Sequence, residues 1–130
     1  MKELELPQIT GIGGWYMPTK VCDDIVDVFE DSKEYHRKGR SGNEHDNGFG
    51  VNLQIKDSYV NKVNQFTITE DYNIQKYLPG GGFKQYHFEN AVIEKRVLVF
   101  MTYLNDVDDG GTKFLYQNLI TPAEKGLTLI

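Results

Sequence analysis

From Thr67 onward the chain is a succession of short apolar or alternating runs broken by turn residues, and this rhythm limits the fold more than any other feature. The runs are ITEDYNIQKYL, FKQYHFENAVI, RVLVFMTYL, TKFLYQNLI and LTLI, and PGGG, NDVDDGG and TPAEKG punctuate them. With glycine-rich connections between them, these short runs predict β-strands in a sandwich or barrel.

The first half reads differently. Gly11, Gly13, Gly14 and Pro18 predict an extended opening segment and a turn. Thr19 is a candidate N-cap for a helix over KVCDDIVDVFEDSKEY, in which Val21, Ile25, Val28 and Phe29 recur at helical spacing with acids on the other side. Residues 39–50 are rich in Gly, Asn, Ser and Asp and read as a loop. His36 and His45, in or near it, read as solvated side chains. The polar stretch VNLQIKDSYVNKVNQ is compatible with a strand or a short helix. The expected organisation is one domain, with the helix and its support over 1–66 and the strands over 67–130. The expected class is mainly β with a supporting helix (α+β).

At 130 residues the chain is long enough for one real core. With 39% hydrophobic and 25% charged residues it reads as globular. A net charge of -5 argues against a nucleic-acid partner, because a phosphate backbone would be repelled. The basic stretch from Lys33 to Arg40 also holds Glu34 and has no aromatic interleave. No apolar run approaches a membrane span and no signal-peptide pattern opens the chain, so a cytoplasmic location without membrane association is expected. The single cysteine, Cys22, excludes an intrachain disulfide and a cysteine-rich zinc cluster. Any metal here would need His and carboxylate ligands.

His87 and Glu89 supply such a pair. In a strand, side chains two apart point to one face, so an imidazole and a carboxylate can converge on one ion; on a helix the same spacing parts them. Two such ligands and a second His make the facial triad of non-haem Fe(II) oxygenases. The same pair also suits a solvated strand, or zinc in a hydrolase.

The stretch from Ile74 to Ile130 resembles the prolyl 4-hydroxylase-like branch of the 2-oxoglutarate/Fe(II)-dependent oxygenases. The matching blocks are IQKYLPGGGFKQYHFEN, RVLVFMTYLNDVDDGGTKF and ITPAEKGLTLI, in the family's order and at matching spacing. The Gly-Trp-Tyr start and the helix from Val21 look like short members from bacteria and their phages. The resemblance implies an incomplete double-stranded β-helix (jelly roll) with an N-terminal helix packed on the sheet. It also implies Fe(II), 2-oxoglutarate and O₂ as cofactor and cosubstrates, with ascorbate as a further reductant. His87 and Glu89 become iron ligands and catalytic residues. Tyr77 and Tyr103 fall where the family sets tyrosines against 2-oxoglutarate, or pack as aromatics in a sheet core. Arg96 opens the run that carries Tyr103; it suits an anionic cosubstrate or substrate, or a surface acid, and is assigned the substrate side.

In such an enzyme, cleavage of 2-oxoglutarate to succinate and CO₂ drives hydroxylation of an unactivated C–H bond in a peptide or small molecule. Loop 39–50 and the turn at 79–82 are the expected substrate-gating segments, and Phe83, Tyr86 and Phe88 the expected core or pocket wall. Gly110, Gly111 and Thr112 read as turn residues. The sequence departs from the family in three places. Glu89 replaces the commoner aspartate, and Lys113 stands where an acid is usual. The second iron-binding His and the basic clamp on 2-oxoglutarate are expected beyond Ile130, so the chain reads as cut short and weakly active. The alternative is a catalytically silent jelly-roll module that binds a sugar or a protein through an aromatic face.

Overall fold

The computed structural model describes residues 2–6, 10–38, 72–89 and 98–130 in full and 51–55 as a backbone strand. Among them lies one α-helix, α1 (Thr19–Asp31), followed by a short 3₁₀ turn at Lys33–Tyr35. The strands are β1 (Lys2–Glu3), β2 (Gly14–Tyr16), β3 (Arg37–Lys38), β4 (Val51–Ile55), β5 (Tyr72–Lys76), β6 (Met101–Thr102), β7 (Lys113–Phe114), β8 (Leu119–Ile120) and β9 (Leu127–Leu129). Every pairing between them is antiparallel. The result is a mixed α and β arrangement, with no closed barrel among the described residues.

The chain divides into two compact units, Met1–Val28 with Tyr86–Ile130, and Phe29–Gln85. In the first, a four-stranded sheet runs in the order β1-β2-β9-β6. Its centre is the LTLI run. Leu127 and Leu129 are buried and Thr128 between them is half-buried, as an alternating strand requires. Thr128 meets Thr102 across the sheet, hydroxyl to hydroxyl at 2.9 Å. Beyond the regular ladder, Gly13 and Ile130 exchange backbone hydrogen bonds of 2.9 Å in both directions. Among the described residues of this unit, Leu127, Leu129, Ala123 and Cys22 are buried and apolar, and Thr121 is buried beside them in the chain. The hairpin β7-β8 forms a separate two-stranded sheet.

Helix α1 begins one residue earlier than a Thr19 cap would allow. Thr19 is itself helical, and the Pro18 carbonyl accepts the amides of Val21 at 2.9 Å and Cys22 at 3.4 Å. The helix also stops at Asp31, short of the expected Tyr35. Its last turn holds no basic residue, and the freed Phe29 carbonyl takes the Ser32 amide at 3.2 Å and the His36 Nε2 at 2.7 Å. His36 is therefore not a solvated loop residue. Its ring stacks on Phe29 with centroids 4.1 Å apart, and it is half-buried.

The buried stripe of α1 also differs from the expected one. Cys22 and Phe29 are buried, Ile25 and Val26 half-buried, whereas Val21 is 40% and Val28 50% exposed. The apolar residues come as doublets, Val21-Cys22, Ile25-Val26 and Val28-Phe29, so periodicity defines a stripe two residues wide and packing selects its centre.

In the second unit, β4 lies between β3 and β5 and pairs with β5 over its full length, from Val51↔Lys76 to Ile55↔Tyr72. The start of VNLQIKDSYVNKVNQ is thus a strand. At the end of β5 the chain turns sharply: Gly81 N–H donates to the Leu78 carbonyl at 2.8 Å, with Pro79 second in the turn and Gly80 third at φ 78°. That is the type II pattern, which calls for proline and then glycine in those places. Loop 39–50 and His45 lie outside the described residues. No helix among the described residues is long and apolar enough to cross a membrane.

Candidate metal-binding site

His87 and Glu89 come together. His87 Nε2 lies 3.1 Å from Glu89 Oε1, and the two side chains are 50% and 47% exposed. The route to this meeting is not the expected strand. Phe83 to Glu89 carries no regular secondary structure beyond bends and a turn at Glu89, and every side chain in it is exposed. With neither face buried, nothing selects an alternating register there. The pair meets because the longer glutamate folds back onto the imidazole.

Phe83, Tyr86 and Phe88 are consequently not core: they are 45%, 56% and 69% exposed. The Tyr86 ring has the ammonium of Lys113 at 5.9 Å from its centroid, within cation–π reach. Lys113, the residue after the Gly-Gly-Thr turn, is thus directed at Tyr86.

Tyr103 sits just past β6, half-buried. Its backbone continues the pairing with β9, since its amide donates to Leu127 O at 2.9 Å and its carbonyl accepts from Gly126 N at 2.8 Å. Its phenol meets Thr112 Oγ1 at 2.5 Å. Thr112 is thus more than a turn residue. Gly110 and Gly111 do shape the turn: Gly110 N–H donates to the Val107 carbonyl at 3.0 Å, and Gly111 has φ 124°. A Cβ at Gly111 would fall 1.9 Å from the Thr121 carbonyl oxygen, so the close approach there requires glycine.

Tyr77 belongs to the second unit, where it is 36% exposed and its phenol donates to Gln75 Oε1 at 2.7 Å. Arg96 lies outside the described residues. Lys125, in the turn ahead of β9, is engaged elsewhere: its ammonium pairs with Asp23 of α1 and its amide donates to Asp106 Oδ1 at 2.7 Å. The Asp23 carboxylate holds the Lys125 ammonium above the ordinary lysine range.

No group of three or more His, Cys, Asp or Glu side chains converges on a common point among the described residues. His87 and Glu89 therefore offer a donor pair of the right chemistry for Fe(II) or another divalent ion, imidazole nitrogen and carboxylate oxygen, as part of a ligand set. A separate open groove of about 360 Å³ is lined by Asp106, Val107, Asp108, Asp109, Pro122 and Glu124. In the sequence these residues showed only as turn signals. Its rim is tied by Tyr16, whose phenol donates to Glu124 Oε2 at 2.5 Å and is raised above the usual tyrosine range by that bond.

No family model, curated protein or solved structure matches this chain.

Proposed function

We propose that the chain carries the metal-binding and cosubstrate-facing part of an Fe(II)- and 2-oxoglutarate-dependent dioxygenase that hydroxylates an unactivated C–H bond, built on jelly-roll strands. The observation that carries this reading is the 3.1 Å approach of His87 Nε2 to Glu89 Oε1. Neutral imidazole and carboxylate are the donors a non-haem iron site uses, and their half-exposed position leaves room for the ion and for ligands that are not protein. When bound, Fe(II) with 2-oxoglutarate and O₂ supplies the oxidising power for hydroxylation; ascorbate can serve as an auxiliary reductant.

The chain's own residues do the holding and orienting. His87 Nε2 would bind the ion and the Glu89 carboxylate would offset part of its charge. The Tyr103 phenol is a donor for a carboxylate of 2-oxoglutarate. Arg96, which opens the run that carries Tyr103, takes the substrate side in this reading. A peptide or small molecule is the proposed substrate, in a cytoplasmic protein with no nucleic-acid or membrane partner.

Anaerobic titration with Fe(II), or with Mn(II) as its stand-in, tests the reading. The expected result is weak binding that His87→Ala and Glu89→Ala each abolish, with little consumption of 2-oxoglutarate, because two protein ligands leave most of the coordination shell to water. Undiminished metal binding by both variants would overturn it.

The exposure of Tyr86 and Phe88 on either side of His87 favours one second reading, a silent module that binds a sugar or protein through aromatic rings. Metal binding lost in the His87 variant discriminates between the two.

A further inference from the structure

We propose that Thr121 is a positioning residue for Tyr103, acting through Thr112; the functional part of this rests on the cosubstrate role given to Tyr103 above. The three residues come from three places in one unit: the end of β6, the residue before β7 and the residue after β8. The Tyr103 backbone is fixed by β9, which leaves the direction of its phenol to be set by side-chain contacts. The phenol meets the Thr112 hydroxyl at 2.5 Å. Thr112 in turn is held by Thr121, whose amide donates to the Thr112 carbonyl at 3.0 Å. The Thr121 hydroxyl lies 3.4 Å from both the Thr112 nitrogen and the Thr112 carbonyl oxygen.

Those last two contacts are long, and burial is what gives them weight. Thr121 is 1% exposed, the one buried polar side chain among the described residues, so its hydroxyl has no solvent to exchange them for. Thr121 thus holds the Thr112 backbone, and the Thr112 hydroxyl holds the phenol; with the Thr112 hydroxyl as donor to the Tyr103 oxygen, the phenol proton is left for an incoming carboxylate. A phenol already fixed in direction loses less rotamer freedom on binding than one that must be ordered by the ligand.

The test uses the whole chain with ¹³C-labelled tyrosine. Tyr103→Phe assigns the Tyr103 ring signals, and 2-oxoglutarate affinity is measured by calorimetry in the presence of Mn(II). Thr121→Val is expected to shift the Tyr103 ring signals and to weaken 2-oxoglutarate binding about fivefold, the scale of one hydrogen bond. Thr121→Ser, which keeps the hydroxyl, is expected to restore both. Should Thr121→Val fail to fold, Thr112→Val takes its place and is expected to move the same signals, with Thr121→Ser matching wild type.

Tyr103 signals that stay at their wild-type positions in a folded valine variant would overturn the proposal. So would a serine variant that behaves as the valine one does, since a hydroxyl role requires rescue. A shift of the Tyr103 signals in a chain that takes up no 2-oxoglutarate upholds the positioning and overturns the cosubstrate reading instead.

Discussion

The Glu89 side chain has one methylene more than an aspartate, and its carboxylate lies 3.1 Å from the His87 imidazole in a segment with no strand geometry. From their spacing His87 and Glu89 were expected to meet across one face of a strand; they do lie together, but the segment that carries them is not a strand. Glu89→Gln keeps the length and removes the charge, so Mn(II) affinity measured by electron paramagnetic resonance should fall at least tenfold, whereas loss of length in Glu89→Asp should cost less.

Gly111 admits no side chain. Gly111→Ala would set a Cβ against the Thr121 carbonyl at a φ of 124°, and a loss of more than about 3 kcal/mol is expected in urea unfolding. Charge acts at this scale too. The Lys76 ammonium, which pairs with Glu30, is the main reason the Glu30 carboxyl lies below its ordinary value of 4.5. A lowered carboxyl pKa stabilises the fold above the unfolded-state value, and that contribution disappears as the pH falls through the folded-state value. In Lys76→Met the Glu30 carboxyl should titrate closer to 4.5, as read by NMR of its side chain. The stability of this variant should also vary less between neutral and acid pH.

Among the elements, α1 separates what pattern can and cannot decide. The helix was legible from its spacing, while its start at Thr19 was read as a cap and its buried face one residue away from its true centre. The apolar doublets satisfy two neighbouring stripes equally, and only packing chose Cys22 and Phe29 over Val21 and Val28. The difference is measurable. Val28→Ser, at a half-exposed site, should change stability by no more than about 0.5 kcal/mol, and Phe29→Ala should cost about 3–5 kcal/mol. Part of that loss reflects His36, which stacks on Phe29 and caps its carbonyl, a contact seven residues along that no helical periodicity announces. The strands divide in the same way. LTLI and YNIQK alternate and form β9 and β5, while YHFE alternates as well and forms no strand, because alternation produces a strand only where a partner supplies the ladder.

For the molecule as a whole, the two compact units predict uneven resistance to opening. Leu127 is fully buried at the centre of the four-stranded sheet, so Leu127→Ala should cost about 2–5 kcal/mol there. Amide hydrogen exchange should then quicken in β2, β6 and β9 well before it does in β4 and β5. Equal acceleration in both sheets would show that the units open together.

By itself the sequence determined whatever depends on neighbours along the chain: that a helix follows Pro18, where glycine and proline force a turn, and which short runs alternate. The tertiary structure alone decided that β9 lies between β2 and β6, which helix face is covered, and that Thr112 and Thr121 stand behind Tyr103. Local patterns are set by steric and solvation preferences within a few bonds. Pairing and burial are set by which distant surfaces meet, and a periodic pattern is equally compatible with many such meetings.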